Sequence, residues 1–109
     1  MRTEIIEKTH RAEKRSFQVA DLLYLRADSK YVEAHHAGGM LILDESLAAL
    51  EREFGDKLLR THRGALIARD KQARLVKRDV DWLVEIEGAD ELVPVSRRYV
   101  ARVRKELHG

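Results

Sequence analysis

Apolar residues recur along this chain in short bursts separated by polar punctuation, the rhythm of strands rather than of long helices. Residues 3–9 and 15–19 read as two short strands around the polar turn His10-Arg11-Ala12-Glu13-Lys14. Leu22 to Ala27 is the next apolar run. Asp28-Ser29-Lys30 interrupts it, and Tyr31-Val32-Glu33-Ala34-His35 resumes the strand pattern. Gly38-Gly39 predicts a hairpin turn into Met40-Leu41-Ile42-Leu43.

The period then changes. Leu47, Leu50 and Phe54 follow helical spacing and give one apolar face. Asp44 or Ser46 can cap the free amides, Glu45 suits the positive end of the dipole, and Gly55 ends the helix. The acidic outer face, with Glu51 and Glu53, is expected to point away from any polyanion. Strand-like runs return at Ala65–Ala68, Leu75-Val76, Trp82–Ile86 and Leu92–Val95, with Gly88-Ala89-Asp90 as a turn. Ser96 reads as the N-cap of a last helix. Its buried stripe would be Val100, Val103 and Leu107, with Arg98, Arg102 and Lys105 on another face.

At 109 residues this is the length of one domain, and 44% hydrophobic content is enough for a real core. The charged fraction is high at 37%, but the net charge is only +2, so the composition does not suggest disorder. No apolar run approaches the roughly 18 residues of a membrane span, and the first residues lack a signal-peptide core. Without cysteine there is neither a disulfide frame nor a thiolate metal site. A cytoplasmic protein without a cofactor is the simplest expectation.

The small net charge hides a segregated distribution. Arg60, Arg63, Arg69, Lys71, Arg74, Lys77 and Arg78 are opposed only by Asp70, and Asp79, Asp81, Glu85, Glu87, Asp90 and Glu91 follow. Arg97, Arg98, Arg102, Arg104 and Lys105 then turn the C-terminal segment positive again. Local basic fields steer polyanions even when the net charge is small. Two stretches stand out, Arg60–Arg69 and Val95–Tyr99. Arginine offers a planar fork of donors that suits phosphate and the guanine edge.

Other chemistry finds little support. His35 and His36 are adjacent on a strand and point to opposite faces, so they cannot easily share an ion. Ser29, Ser46 and Ser96 lack a nucleophile-elbow context. Asp79 and Asp81 sit in a solvated acidic stretch, and Gly38-Gly39 lacks the lysine and helix of a phosphate loop. None of this is the equipment of an enzyme. Arg97 and Arg98 in the first turn of a helix oppose its dipole, and a bound anion would reverse that sign. The competing reading is that both pair with the acidic stretch at 79–91. In the first basic stretch, His62 and Arg63 should diverge, one packing inward and the other reaching out. Gly64 would let the backbone approach a partner closely.

The order of these pieces resembles the LytTR DNA-binding domain, found mostly at the C-terminus of bacterial response regulators. The matching residues are Tyr24 to Val32, the helix from Glu45 to Phe54, Arg60-Thr61-His62-Arg63, and Pro94-Val95-Ser96-Arg97-Arg98-Tyr99. Within that family the segments Ala27-Asp28-Ser29-Lys30-Tyr31-Val32, His62 to Arg69 and Val95-Ser96-Arg97-Arg98 are similar to the alginate biosynthesis regulator branch. Gly64 stands where many members carry serine or asparagine, and Ala68 replaces a frequent asparagine, as in the alginate-regulator branch.

The resemblance implies a mainly β fold: an elongated domain of about ten short strands in small antiparallel sheets, with one mid-chain and one C-terminal helix. Residues 17–109 would form the LytTR-type domain, with 1–16 an N-terminal strand or hairpin segment of the same domain. It further implies sequence-specific binding of double-stranded DNA by loop-borne side chains entering successive major grooves. Lys30, Arg63 and Arg98 take the base-contacting positions. Ser29, Tyr31, His62, Arg69, Lys71, Ser96, Arg97 and Arg102 become backbone contacts or supports. Expected partners are paired promoter sites, a second copy of the chain on DNA, and a receiver domain of the same full-length protein, with no membrane. The alternative is a β-rich protein-interaction module that uses its sheet edges and the acidic stretch near Trp82.

Overall fold

Strand boundaries in the computed structural model, which describes residues 2–7 and 15–108, follow the apolar bursts closely. The order is β1 (Glu4–Ile6), β2 (Ser16–Gln18), β3 (Leu22–Asp28), β4 (Tyr31–His36), β5 (Gly39–Leu43), α1 (Leu47–Phe54), β6 (Leu58–His62), β7 (Ala65–Ala68), β8 (Ala73–Arg78), β9 (Asp81–Ile86), β10 (Val93–Val95) and α2 (Arg97–His108). The turn expected at His10–Lys14 lies outside the described residues. The strands form a β1-β2 ribbon, a five-stranded sheet in the order β5-β4-β3-β7-β6, and a three-stranded sheet in the order β10-β9-β8. All the pairings are antiparallel, so this is the mainly β architecture with two helices that the sequence suggests. The domain is elongated, 44 × 26 × 24 Å.

Burial explains which strands alternate and which do not. β4 buries Val32 and Ala34 while Glu33 and His35 look the other way, the pattern of a strand covered on one face. β7 buries all four of its residues, and β3 buries Leu22, Leu23, Tyr24 and Leu25 in succession. These two strands lie side by side at the centre of the large sheet and are covered on both faces. On one face Leu25 and Leu66 pack with Leu47, Leu50 and Phe54 of α1. On the other, Tyr24, Ile67 and Leu59 pack with Val84, Ile86, Val93 and Val95 of the small sheet and Val103 of α2.

α1 begins because the Ser46 hydroxyl accepts the Ala49 amide at 3.0 Å. It ends at Gly55, whose φ of 51° suits glycine. Each apolar side chain it buries contributes on the order of 1.5–3 kcal/mol. Glu51 and Glu53 correct the expectation of a detached acidic face. Glu51 pairs with Arg60 at 2.8 Å, and Glu53 approaches Arg2 at 3.2 Å. The two histidines do diverge: His36 stacks on Phe17 and His35 on Tyr24, each at 4.2 Å.

Candidate nucleic-acid interface

Strand direction brings the cationic turns together. β3 ends and β4 begins at the two-residue turn Ser29-Lys30. β7 is antiparallel to β3, with Ala65 opposite Arg26, so the Arg63-Gly64 turn stands at the same end. The Ala27 amide donates to the Gly64 carbonyl at 2.9 Å and ties the two turns side by side. β10 joins next to β6. The Ser96 amide donates to the Thr61 carbonyl at 3.0 Å, and the Thr61 hydroxyl donates to the Pro94 carbonyl at 2.9 Å. Three junctions carrying Lys30, Arg63 and Arg97-Arg98 therefore stand in one row.

The second turn is built from within. The His62 ring accepts the Gly64 amide through Nδ1 at 3.0 Å, which leaves Arg63 to project into solvent. Arg60 does not project. It donates to the Arg63 carbonyl at 2.7 Å and to Glu51 at 2.8 Å, clamping the turn against α1. Thr61 is fully buried and couples this turn to the start of α2. Arg60 and Thr61 are the positioning residues that the sequence grouped with the contacting ones. Their neighbours 9 and 33 positions away could not be read from a linear run. Gly64 does not need to be glycine for space. A Cβ there would meet His62 Nδ1 at 3.5 Å and the Ala27 Cβ at 4.0 Å, ordinary contacts.

The cations at the row of turns share one property. Lys30, Arg63, Arg97, Arg98 and Arg102 are exposed and form no ion pair among the described residues. Arg97 and Arg98 thus do not pair with the acidic stretch; Glu85 and Glu91 pair instead with Arg74 and Arg26. The Arg98 guanidinium lies 5.1 Å from the centre of the Tyr99 ring, a cation–π contact that leaves its donors open. Tyr31 is half exposed beside Lys30. Arg102 follows Arg98 by one helical turn on the same face of α2.

Arg69 and Lys71 are not in this group. β7 carries the chain away from the row, and Arg69 follows it at the opposite end of the strand. There it donates to the Leu58 carbonyl at 3.2 Å and pairs with Glu106 at 2.5 Å. Lys71 donates to the Ala20 carbonyl. Both stitch the fold instead of facing the row. Ser96 directly precedes α2, but its buried hydroxyl has no hydrogen-bond partner, so it does not cap the helix. Its role is its backbone amide on Thr61.

Backbone strain marks the same end. Among the described residues, Ser29 (φ 49°) and Asp79 (φ 56°) are the non-glycine residues at positive φ. That conformation costs on the order of 1–2 kcal/mol. Burial, and then nearby Glu91, pushes the Tyr24 hydroxyl up to about 12. Among the described residues no histidine–carboxylate group has the makings of a metal site, and no helix is long and apolar enough to cross a membrane.

Residues 13–108 match the LytTr DNA-binding domain. The chain belongs to the LytTR DNA-binding domain family. It is similar to the positive alginate biosynthesis regulatory protein of Pseudomonas aeruginosa, 42% identical over 90 residues, covering 81% of this chain and 36% of that protein. It is also similar to the CO-responsive transcriptional regulator RcoM of Rhodospirillum rubrum, 37% identical over 87 residues, covering 78% of this chain and 37% of that one. The LytTR chain thus spans little more than a third of either relative. Its fold matches a solved LytTr DNA-binding domain from Bacillus cereus with a TM-score of 0.82 over the whole of both chains, at 21% identity.

Proposed function

We propose that this LytTR domain is the output module of a two-component response regulator and binds promoter DNA in a sequence-specific way. The observation that carries the reading is the row of turns at one end of the sheet, whose cations have no ion-pair partner among the described residues. Arg63 and Arg98 act on base edges, most naturally guanine O6 and N7, through two parallel donors. Lys30 reads a base in the neighbouring groove. Arg97, Arg102, Ser29 and Tyr31 hold phosphates and fix the register, while His62 and Ser96 shape the turns. A phosphate at the start of α2 meets free amides and the positive end of the dipole, and it relieves the unfavourable placement of Arg97 and Arg98 there.

The receiver domain of the full-length protein would control the module, and two copies would occupy paired sites. The relatives are nearly three times as long as the matched segment, which leaves room in such regulators for a controlling domain. The test is selection from a random duplex pool. The wild-type chain should enrich one motif, and Lys30→Ala, Arg63→Ala and Arg98→Ala should each relax a different position of it. A pool that yields no motif with the wild-type chain would sink the reading.

A further inference from the structure

A fourth turn belongs to the same row. β9 is antiparallel to β10, with Trp82 opposite Val95, so the β8–β9 hairpin reverses beside the start of α2. Its loop is the two residues Asp79-Val80, closed by Arg78 opposite Asp81. This repeats the design of the β3–β4 turn, where Asp28 opposite Tyr31 closes Ser29-Lys30. The two turns also share the same strain, a non-glycine residue at positive φ in the first loop position. Two-residue hairpin loops take a positive φ at this position, so the two turns share one backbone geometry. One groove of about 470 Å³ is lined jointly by His62, Val80, Trp82, Ser96 and Arg97, so the hairpin tip adjoins the second and third turns.

The tip differs from its neighbours in chemistry. Lys77 and Arg78 are balanced by Asp79 and Asp81, so the segment brings no net charge to a polyanion. What it presents is Val80, 76% exposed and the most exposed large apolar side chain among the described residues. Where Lys30 occupies the second position of one turn, Val80 occupies it in the other. The apolar feature that distinguishes one base from another in the duplex is the thymine methyl group.

We propose that Val80 is a fourth DNA-contacting position and reads a thymine methyl through apolar contact. The proposal rests on the DNA-binding reading above. A contact of this kind releases no counterion, so it leaves the salt dependence of binding unchanged, unlike a contact from lysine or arginine.

The experiment pairs a protein change with a DNA change. Binding of the selected duplex is titrated over a range of salt for the wild-type chain, Val80→Ser and Arg98→Ala. Each thymine of the site is replaced in turn by deoxyuridine, which lacks only the methyl. Val80→Ser should weaken binding roughly threefold to tenfold at every salt concentration, with an unchanged slope. One deoxyuridine position should weaken the wild type by a similar factor and leave Val80→Ser unaffected. Because Val80 is exposed, the melting temperature should not move, which separates loss of contact from loss of fold. Full affinity for Val80→Ser would overturn the proposal while Arg98→Ala still binds poorly, and it would leave the turn free for a protein partner. Val80→Ser and the wild type responding alike to every deoxyuridine would overturn it too. Failure of the wild type to bind any duplex would instead bring down the DNA-binding reading, and this proposal with it.

Discussion

The two ends of the β6–β7 hairpin carry similar residues and treat two of them, Arg63 and Arg69, in opposite ways. At the closed end Arg63 stands exposed, with no ion pair among the described residues, beside Lys30 and ahead of Arg97 and Arg98. At the open end Arg69 is held by Glu106 and the Leu58 carbonyl, and Lys71 is held by Ala20. Arginine content alone therefore does not mark an interface. A cation matched inside the fold has already exchanged water for a carboxylate. Arg63, left without such a partner among the described residues, keeps its donors for phosphate or base. Arg60 is the intermediate case, a buried-side clamp that spends its donors on the turn which presents Arg63.

The sharpest way to break this comparison is Arg98→Ala. It should lose roughly 1–3 kcal/mol on the cognate duplex and relax one base preference. Unchanged cognate affinity in a gel-shift titration would remove Arg98 from the contacting set. Thr61→Val attacks the coupling between turns. It keeps the shape but removes the donor from the part-buried Pro94 carbonyl, and it should cost about 1–2 kcal/mol in urea unfolding. A wild-type midpoint would show that the link carries no stability. Arg102→Ala should weaken all sequences alike and reduce the salt slope by about one. A loss confined to one operator would instead make Arg102 a reader of bases.

The other end supplies the contrast. Arg69→Ala should leave DNA affinity and salt slope untouched and cost less than about 1 kcal/mol of stability, shrinking as salt is added. A fall in DNA affinity would erase the distinction between the two ends. Smallest at neutral pH is the effect of Tyr24. Its folded-state value of about 12 exceeds the ordinary 10.0, so the neutral hydroxyl's contribution is complete below pH 10. Between about pH 10 and 12 the unfolded state ionises first and stability falls. Tyr24→Phe should flatten that part of the unfolding profile, and an equal alkaline fall in both proteins would assign it to other groups.

Much of this fold was legible because short apolar bursts and glycine turns act locally. The α1 stripe of Leu47, Leu50 and Phe54 and the Ser46 cap follow from periodicity. Contacting candidates at Lys30, Arg63 and Arg98 came from family resemblance, and all three fall in the row of turns. What the linear order hid was direction. Arg60–Arg69 reads as one basic stretch, yet the hairpin folds it so that Arg63 and Arg69 face opposite ends. The partnership of Glu51 with Arg60 and the tie from Thr61 to Pro94 depend on tertiary packing, which no local pattern encodes. Ser96 misled for a related reason. Its position before α2 is that of a cap, but its side chain is buried where no donor reaches it.

The bonds from Ala27 to Gly64 and from Ser96 to Thr61 make neighbouring turns members of one comb, mounted on β3, β7, β6 and β10. A tooth that shifts alone to follow a changed site breaks its bond to the next. An operator with every preferred base but one extra pair between them, a displacement of roughly 3.4 Å along the duplex, should therefore be rejected about as firmly as one with a wrong base. For this domain, the distance between letters is part of the message.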